Sequence, residues 1–191
     1  MIWDALTSGY EKWYWYADDS HEWDGWYDEG TGEIAFETVH PDGLQPGSAV
    51  WFLSHANSKG GSAAFSGAVE GAATFTVTLI RGNFNLFNNP YPIAFKFNDF
   101  VNIDWSNAIS GGTFGTSDQI MIWDPVTSGY EKWYWYADTG HEWDGWYDEG
   151  TGEIPFETVH PDGLPAGTPV WYLAKGTLGE TFDVTFKSPL K

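Results

Sequence analysis

Apolar and polar residues alternate along much of this chain. In TFTVTLI (74–80), Phe75, Val77 and Leu79 alternate with Thr74, Thr76 and Thr78, the period of a half-buried strand. IAFKF (93–97), QIMIWD (119–124), EIAFETV (33–39) and AVWFL (49–53) carry the same period and predict further strands. In GYEKWYWYA the alternation sets Glu11, Trp13, Trp15 and Ala17 on one face and Tyr10, Lys12, Tyr14 and Tyr16 on the other. The Trp face is the expected core side, whereas the Tyr hydroxyls tolerate water. Turn residues punctuate the pattern at Thr7-Ser8-Gly9, Gly30-Thr31-Gly32, Pro41-Asp42-Gly43, Asn89-Pro90 and Gly111-Gly112. Trp23-Asp24-Gly25-Trp26 predicts a two-residue type I′ hairpin with the indoles facing each other. Asn98 or Asp99 is placed to cap one helical turn through Phe100 and Val101. Short strands at close, regular spacing predict an all-β fold, an antiparallel sandwich or a barrel-like module.

The pattern is written twice. Residues 1–54 recur at 121–174, with differences at 11 of 54 paired positions. The copies are therefore expected to fold as the same supersecondary unit with internal pseudo-symmetry, and a site built inside the repeat should occur twice. Phe65 and Phe186 align beyond the copies, whereas 68–120 has no counterpart. This phase predicts a repeat unit of about 120 residues, complete at 68–191 and preceded by the C-terminal half of another at 1–67, with 55–67 as the link. Met1 aligns with the internal Met121, which predicts that the chain begins inside a longer array. An isolated aromatic hairpin is marginal in water, so 1–54 must pack on something. The choices are the complete unit, by edge pairing or a pseudo-twofold that buries both aromatic faces, or a second chain in a homodimer.

Composition locates the unusual properties in the repeat. Twelve of 13 Trp lie in the two copies, and so does the whole net charge of −19, with −10 in the first copy and −9 in the second. Acidity of this kind argues against nucleic acid and anionic membranes, and favours solubility, cation binding or salty surroundings. The absence of cysteine excludes disulfides and thiolate chemistry, and no apolar run is long enough for a helical membrane span.

Three chemistries follow from these residues. Rows of rings on a sheet are how many carbohydrate-binding modules hold sugars, so Tyr10, Tyr14, Tyr16, Tyr130, Tyr134 and Tyr136 form a candidate glycan platform; cross-strand aromatic packing is the structural alternative. Asp18, Glu22 and Asp24, with Asp138, Glu142 and Asp144, supply the oxygens calcium wants, although their order is not that of an EF-hand. No other cofactor is expected. The five histidines (His21, His40, His55, His141 and His160) fall in no catalytic motif, and HEWDG lacks the second His of a zincin helix. The expectation is a non-enzymatic protein.

LIRGNFNLFNNPYP (79–92), with Gly82, Asn83, Asn85, Leu86, Asn89, Pro90, Tyr91 and Pro92, resembles the G-x-N-L-x-x-N-P-Y-P segment of secreted bacterial repeat proteins. In them it is followed by elements matched here by Asp118, Gln119, Ile120, Trp123, Asp124, Gly129 and Tyr130, then by Gly167, Trp171 and Tyr172. The resemblance implies an exported or cell-surface module with a structural or interaction role and no assigned active site. Its partners would be a glycan, a surface polymer or a tandem neighbour.

Overall fold

The computed structural model describes residues 1–44, 47–53, 73–89 and 91–188. The expected link at 55–67 lies outside the described residues. The protein is mostly β, and its strands are β1 (Ile2–Asp4), β2 (Gly9–Glu11), β3 (Trp13–Tyr16), β4 (Gly25–Asp28), β5 (Thr74–Ile80), β6 (Phe84–Asn88), β7 (Ile103–Asp104), β8 (Gln119–Asp124), β9 (Gly129–Tyr136), β10 (Gly145–Asp148), β11 (Pro169–Leu173) and β12 (Thr181–Lys187). The described residues also include two single helical turns, α1 (Phe36–Val39) and α2 (Phe156–Val159).

All strand pairs are antiparallel. A five-stranded sheet runs β10-β9-β8-β11-β6 and a three-stranded sheet β5-β12-β7; neither closes into a barrel. Register puts Ile120 opposite Trp133 and Tyr172, and Trp135 opposite Trp146. One face of the large sheet therefore carries Phe87, Ile120, Ile122, Trp133, Trp135, Trp146, Val170 and Tyr172, all in one buried cluster. The alternation of β5 and β12 contributes Leu79, Phe182, Val184 and Phe186 to the same cluster, with ring contacts between Phe87 and Phe186 and between Tyr172 and Phe182. Between the sheets, Phe97 and Trp105 pack on Trp146.

Aspartates shape the tight turns. Asp124 accepts hydrogen bonds from Val126 N and Thr127 Oγ1, which closes the β8–β9 turn and places Ser128 at φ +53°. Asp4 does the same for Leu6 N and Thr7 Oγ1 between β1 and β2, with Ser8 also at +53°.

Several predicted elements differ. Within 33–39 only Ala35 makes a bridge, and Phe36–Val39 coils instead; in the second copy Phe156 is buried against Phe97 and Trp133. The one-sided spacing of Phe36 and Val39 suits a turn that docks a single ring. IAFKF is reduced to one bridge, Phe95 to Leu164, and AVWFL to Ile2 with Val50, whereas its twin is strand β11. Asp99 O accepts from Asn102 N and Ile103 N, making a turn rather than a helix. The Trp23–Trp26 hairpin does not form: Tyr16 pairs with Gly25, leaving an eight-residue loop, and ring packing joins Trp26 to Trp15 instead. The positive φ falls at His21, because Asp24 turns its carboxylate onto Asp18 N and His21 Nδ1.

Candidate functional site

The two copies share local form but not surroundings. β1 and β2 of the first copy sit on the outer face of the large sheet, where Trp3 and Tyr10 pack edge-on against Trp171. Trp3 Nε1 donates to Phe84 O, Asn83 Nδ2 to Ala5 O, and Asn88 N to Gly47 O, so the first copy lines the free edge of β6. This is contact along the edge of the five-stranded sheet, without a strand ladder between the two. A pseudo-twofold that buries both aromatic faces is not observed. Trp15 is 54% exposed, whereas its twin Trp135 is 5% exposed. Tyr14 and Tyr134 differ likewise, at 41% and 8%. The difference comes from residues 97–118: Phe100 packs on Trp135, and Phe114 covers Tyr134.

Of the predicted sugar platform, Tyr10, Tyr14, Tyr16 and Tyr130 are exposed, Tyr136 is half-buried and Tyr134 is buried. Burial and then the neighbouring Tyr130 push the Tyr10 phenol pKa up, placing these two twin residues near each other. The row is thus open in the first copy and partly covered in the second. Beside Tyr10 lies a shallow groove of about 490 Å³ lined by Tyr10, Glu11, Trp13, Asp28, Glu29 and Ile34, among others. Its floor is fixed from below: Trp13 packs on Phe36, and His40 Nε2 meets Glu11 Oε2 at 2.8 Å, tying α1 to β2. Lys12 Nζ lies 3.1 Å from Glu29 Oε2, an exposed pair. One wall is the Asp28 loop, where the carboxylate accepts from Thr31 N at 2.7 Å and Ile34 N at 2.8 Å.

Those two backbone donors, Thr31 first, hold the Asp28 pKa at about 2, against 3.8 ordinarily. A depressed carboxyl pKa contributes stability that is present above 3.8 and lost as pH falls through about 2. Amide exchange at Thr31 and Ile34 is therefore expected to accelerate across that window. In Asp28→Asn the loop should exchange fast at every pH; slow, pH-independent exchange in the variant would refute the assignment.

Of the six candidate calcium ligands, the four aspartates bond to their own loops. Asp24 Oδ1 accepts from Asp18 N and Asp18 Oδ1 from Ser20 N, while Asp144 Oδ1 accepts from Asp138 N. Asp138 Oδ1 accepts from Glu142 N. Asp24 and Asp144 also pair with His21 and His141 at 2.7 and 2.8 Å; the hydrogen bond that His141 Nδ1 donates to Asp144, then the charge of Asp144, raises the His141 pKa. Glu22 and Glu142 are exposed. Among the described residues no group of three or more His, Asp or Glu is arranged to hold a metal. EDTA is expected to leave the melting temperature unchanged; a fall reversed by calcium would assign these acids to a metal site.

Two polar centres form here whose partners no sequence spacing indicated. Asp118 is fully buried, accepting from Ile109 N, Tyr172 Oη and Lys175 N, with Arg81 Nη1 at 4.0 Å. Burial drives its pKa up against those hydrogen bonds and raises that of Tyr172 further. Asn98 bridges β10 to α2: its Oδ1 accepts from Trp146 N, and its backbone N donates to Glu157 Oε1. Only the family-like segment pointed to Asp118, and no spacing rule would have paired it with Tyr172, which lies 54 residues on. No protein-family model, curated protein or solved structure matches the chain.

Proposed function

We propose that this chain is a non-enzymatic, exported β-module that works by surface contact, built as a half unit followed by a complete unit of sandwich form. The observation that carries the reading is the open aromatic face of the first copy, around Trp15 and Phe52, whose twin is core in the second copy. Exposed contiguous rings on an acidic, soluble surface mark contact sites. The resemblance to secreted repeat proteins supports a place outside the cell or on its surface. Retention on a phenyl matrix tests the face. The wild type is expected to be retained and a Trp15→Ser/Phe52→Ser variant of unchanged circular dichroism to elute early. Co-elution of the two would mean the face is covered, and the reading fails.

A second reading is favoured by the groove beside Tyr10. A flat ring flanked by Glu11, Asp28 and Glu29 offers a sugar both stacking and hydroxyl acceptors. On a glycan array, binding that Tyr10→Ala lowers about tenfold, and that Trp15→Ser leaves alone, would make glycan recognition the better assignment.

A further inference from the structure

We infer that the groove beside Tyr10 and its twin beside Tyr130 are two equivalent sites for a polysaccharide whose sugar rings carry free ammonium groups; this rests on the glycan reading of that groove. Every residue named for the first groove recurs unchanged in the second copy, as Tyr130, Glu131, Trp133, Asp148, Glu149 and Ile154. The geometry recurs as well. Trp133 packs on Phe156 as Trp13 does on Phe36, both at 5.1 Å, and His160 Nε2 meets Glu131 Oε2 at 2.6 Å. Asp148 accepts from Thr151 N at 2.7 Å, as Asp28 does from Thr31 N, and Lys132 Nζ lies 3.4 Å from Glu149 Oε2.

Exposure is common to both copies too. Tyr130 is 39% exposed and Ile154 40%, against 40% for Tyr10 and 43% for Ile34. This sets the groove apart from Trp15 and Trp135, whose surroundings differ. In the second copy the stretches on both sides of the repeat, 97–118 and 174–187, are described, and neither covers these residues. The site therefore belongs to the complete unit and does not depend on what flanks the first copy.

The lining selects the ligand. The tyrosine ring and the isoleucine beside it offer apolar surface to the C–H face of a sugar. Each groove sets three carboxylates against the single ammonium of Lys12 or Lys132, within the element that holds the whole net charge of −19, so a cationic ligand is favoured. Among the described residues no three of these acids gather as metal ligands do, so the positive charge that suits them is one spread along a chain. Glu11 Oε1 and Glu29 Oε1 meet no described residue, while their other oxygens are held by His40 and Lys12. The backbone under the groove is already paired: Tyr10 with Trp3, Trp13 with Asp28, and Lys12 O with Glu29 N. A peptide finds no strand ladder to join there, and rings and carboxylates alone make the site.

Calorimetric titration of the intact chain with a glucosamine oligosaccharide, its N-acetylated counterpart and hexalysine is the test. Two glucosamine oligomers per chain are expected, bound at least about tenfold more tightly than the acetylated form and more weakly as salt rises. Tyr130→Ala should leave one site, and Tyr10→Ala/Tyr130→Ala none. Glu29→Gln/Glu149→Gln changes only exposed side chains, which keeps the test valid if the tyrosine variants unfold. It should lower affinity about tenfold and flatten the salt dependence. Equal binding of the acetylated oligomer overturns the inference and leaves the glycan reading standing. Hexalysine bound as tightly as the amino sugar overturns it in favour of a basic peptide. A single site in the wild type, or two in Tyr130→Ala, overturns the twin assignment. No saturable binding of either sugar up to about 1 mM removes the glycan reading as well.

Discussion

Replacing Asp118 by alanine is expected to cost about 3–5 kcal/mol of folding stability, the range for breaking a buried charged centre by deleting one partner. Three donors from separate parts of the chain converge on this carboxylate: Ile109 N, Tyr172 Oη and Lys175 N. Arg81, which also donates to Lys175 O and Asn107 O and stacks over Phe182, would lose its nearest counter-charge. Asparagine does not repair the site, since its amide turns a donor toward a donor; about 1–3 kcal/mol is expected to be lost. The pH dependence has a sign of its own. A carboxyl raised by burial keeps its contribution in full below the ordinary 3.8 and loses it as pH rises through the folded value. Asp118→Asn should flatten that slope. Urea unfolding across pH measures both effects, and a loss below about 1 kcal/mol in the alanine variant would show that the centre is not structural.

The second large effect comes from comparing twins. Trp146→Ala should cost about 3–5 kcal/mol, as large aromatic truncations in packed cores do. Trp146 is fully buried among Phe97, Trp105, Trp135 and Tyr172. Trp26→Ala removes the same side chain from the same local sequence, yet Trp26 touches only Trp15 and Phe52 among the described rings and is half-buried. About 1 kcal/mol or less is expected there. Equal losses, read by denaturant titration, would mean that the first copy is buried as deeply as the second.

That contrast also marks how far the sequence could be read. Period-two alternation located β5 and β8 to the residue, because each has one buried and one outward face. It misread 33–39, where the apolar residues serve a single docked ring, and 93–97, which lies between the sheets and pairs with neither. The Asp24-Gly25 turn failed because a loop aspartate found better donors at Asp18 and His21 than a tight hairpin offers. The candidate residues were correctly placed on strands and loops, but their environment was not legible. Residues 13–16 and 133–136 are identical, yet Tyr14 and Trp15 end up exposed and Tyr134 and Trp135 buried, a difference that follows the cover supplied by Phe100 and Phe114. The Glu11–His40 and Glu131–His160 ties span 29 residues and had no local cue.

That Phe52 stands where the second copy has Tyr172 has a consequence for biosynthesis. Residues 1–53 leave the ribosome before 73–120, and 121–174 follow, so the central segment meets the twin of its native seat before that seat itself is made. Two near-identical seats for one segment are a source of frustration, and chain order favours the wrong one. The hydroxyl on Tyr172 supplies a bond to Asp118 that the early seat lacks, which lets the late seat win at equilibrium. Phe52→Tyr is therefore expected to leave the native fold in place but slow its appearance, adding a populated refolding intermediate in stopped-flow fluorescence; unchanged kinetics would mean that the two seats never compete. A single oxygen atom would then act as an address label, directing a shared strand to one of two otherwise matching docks.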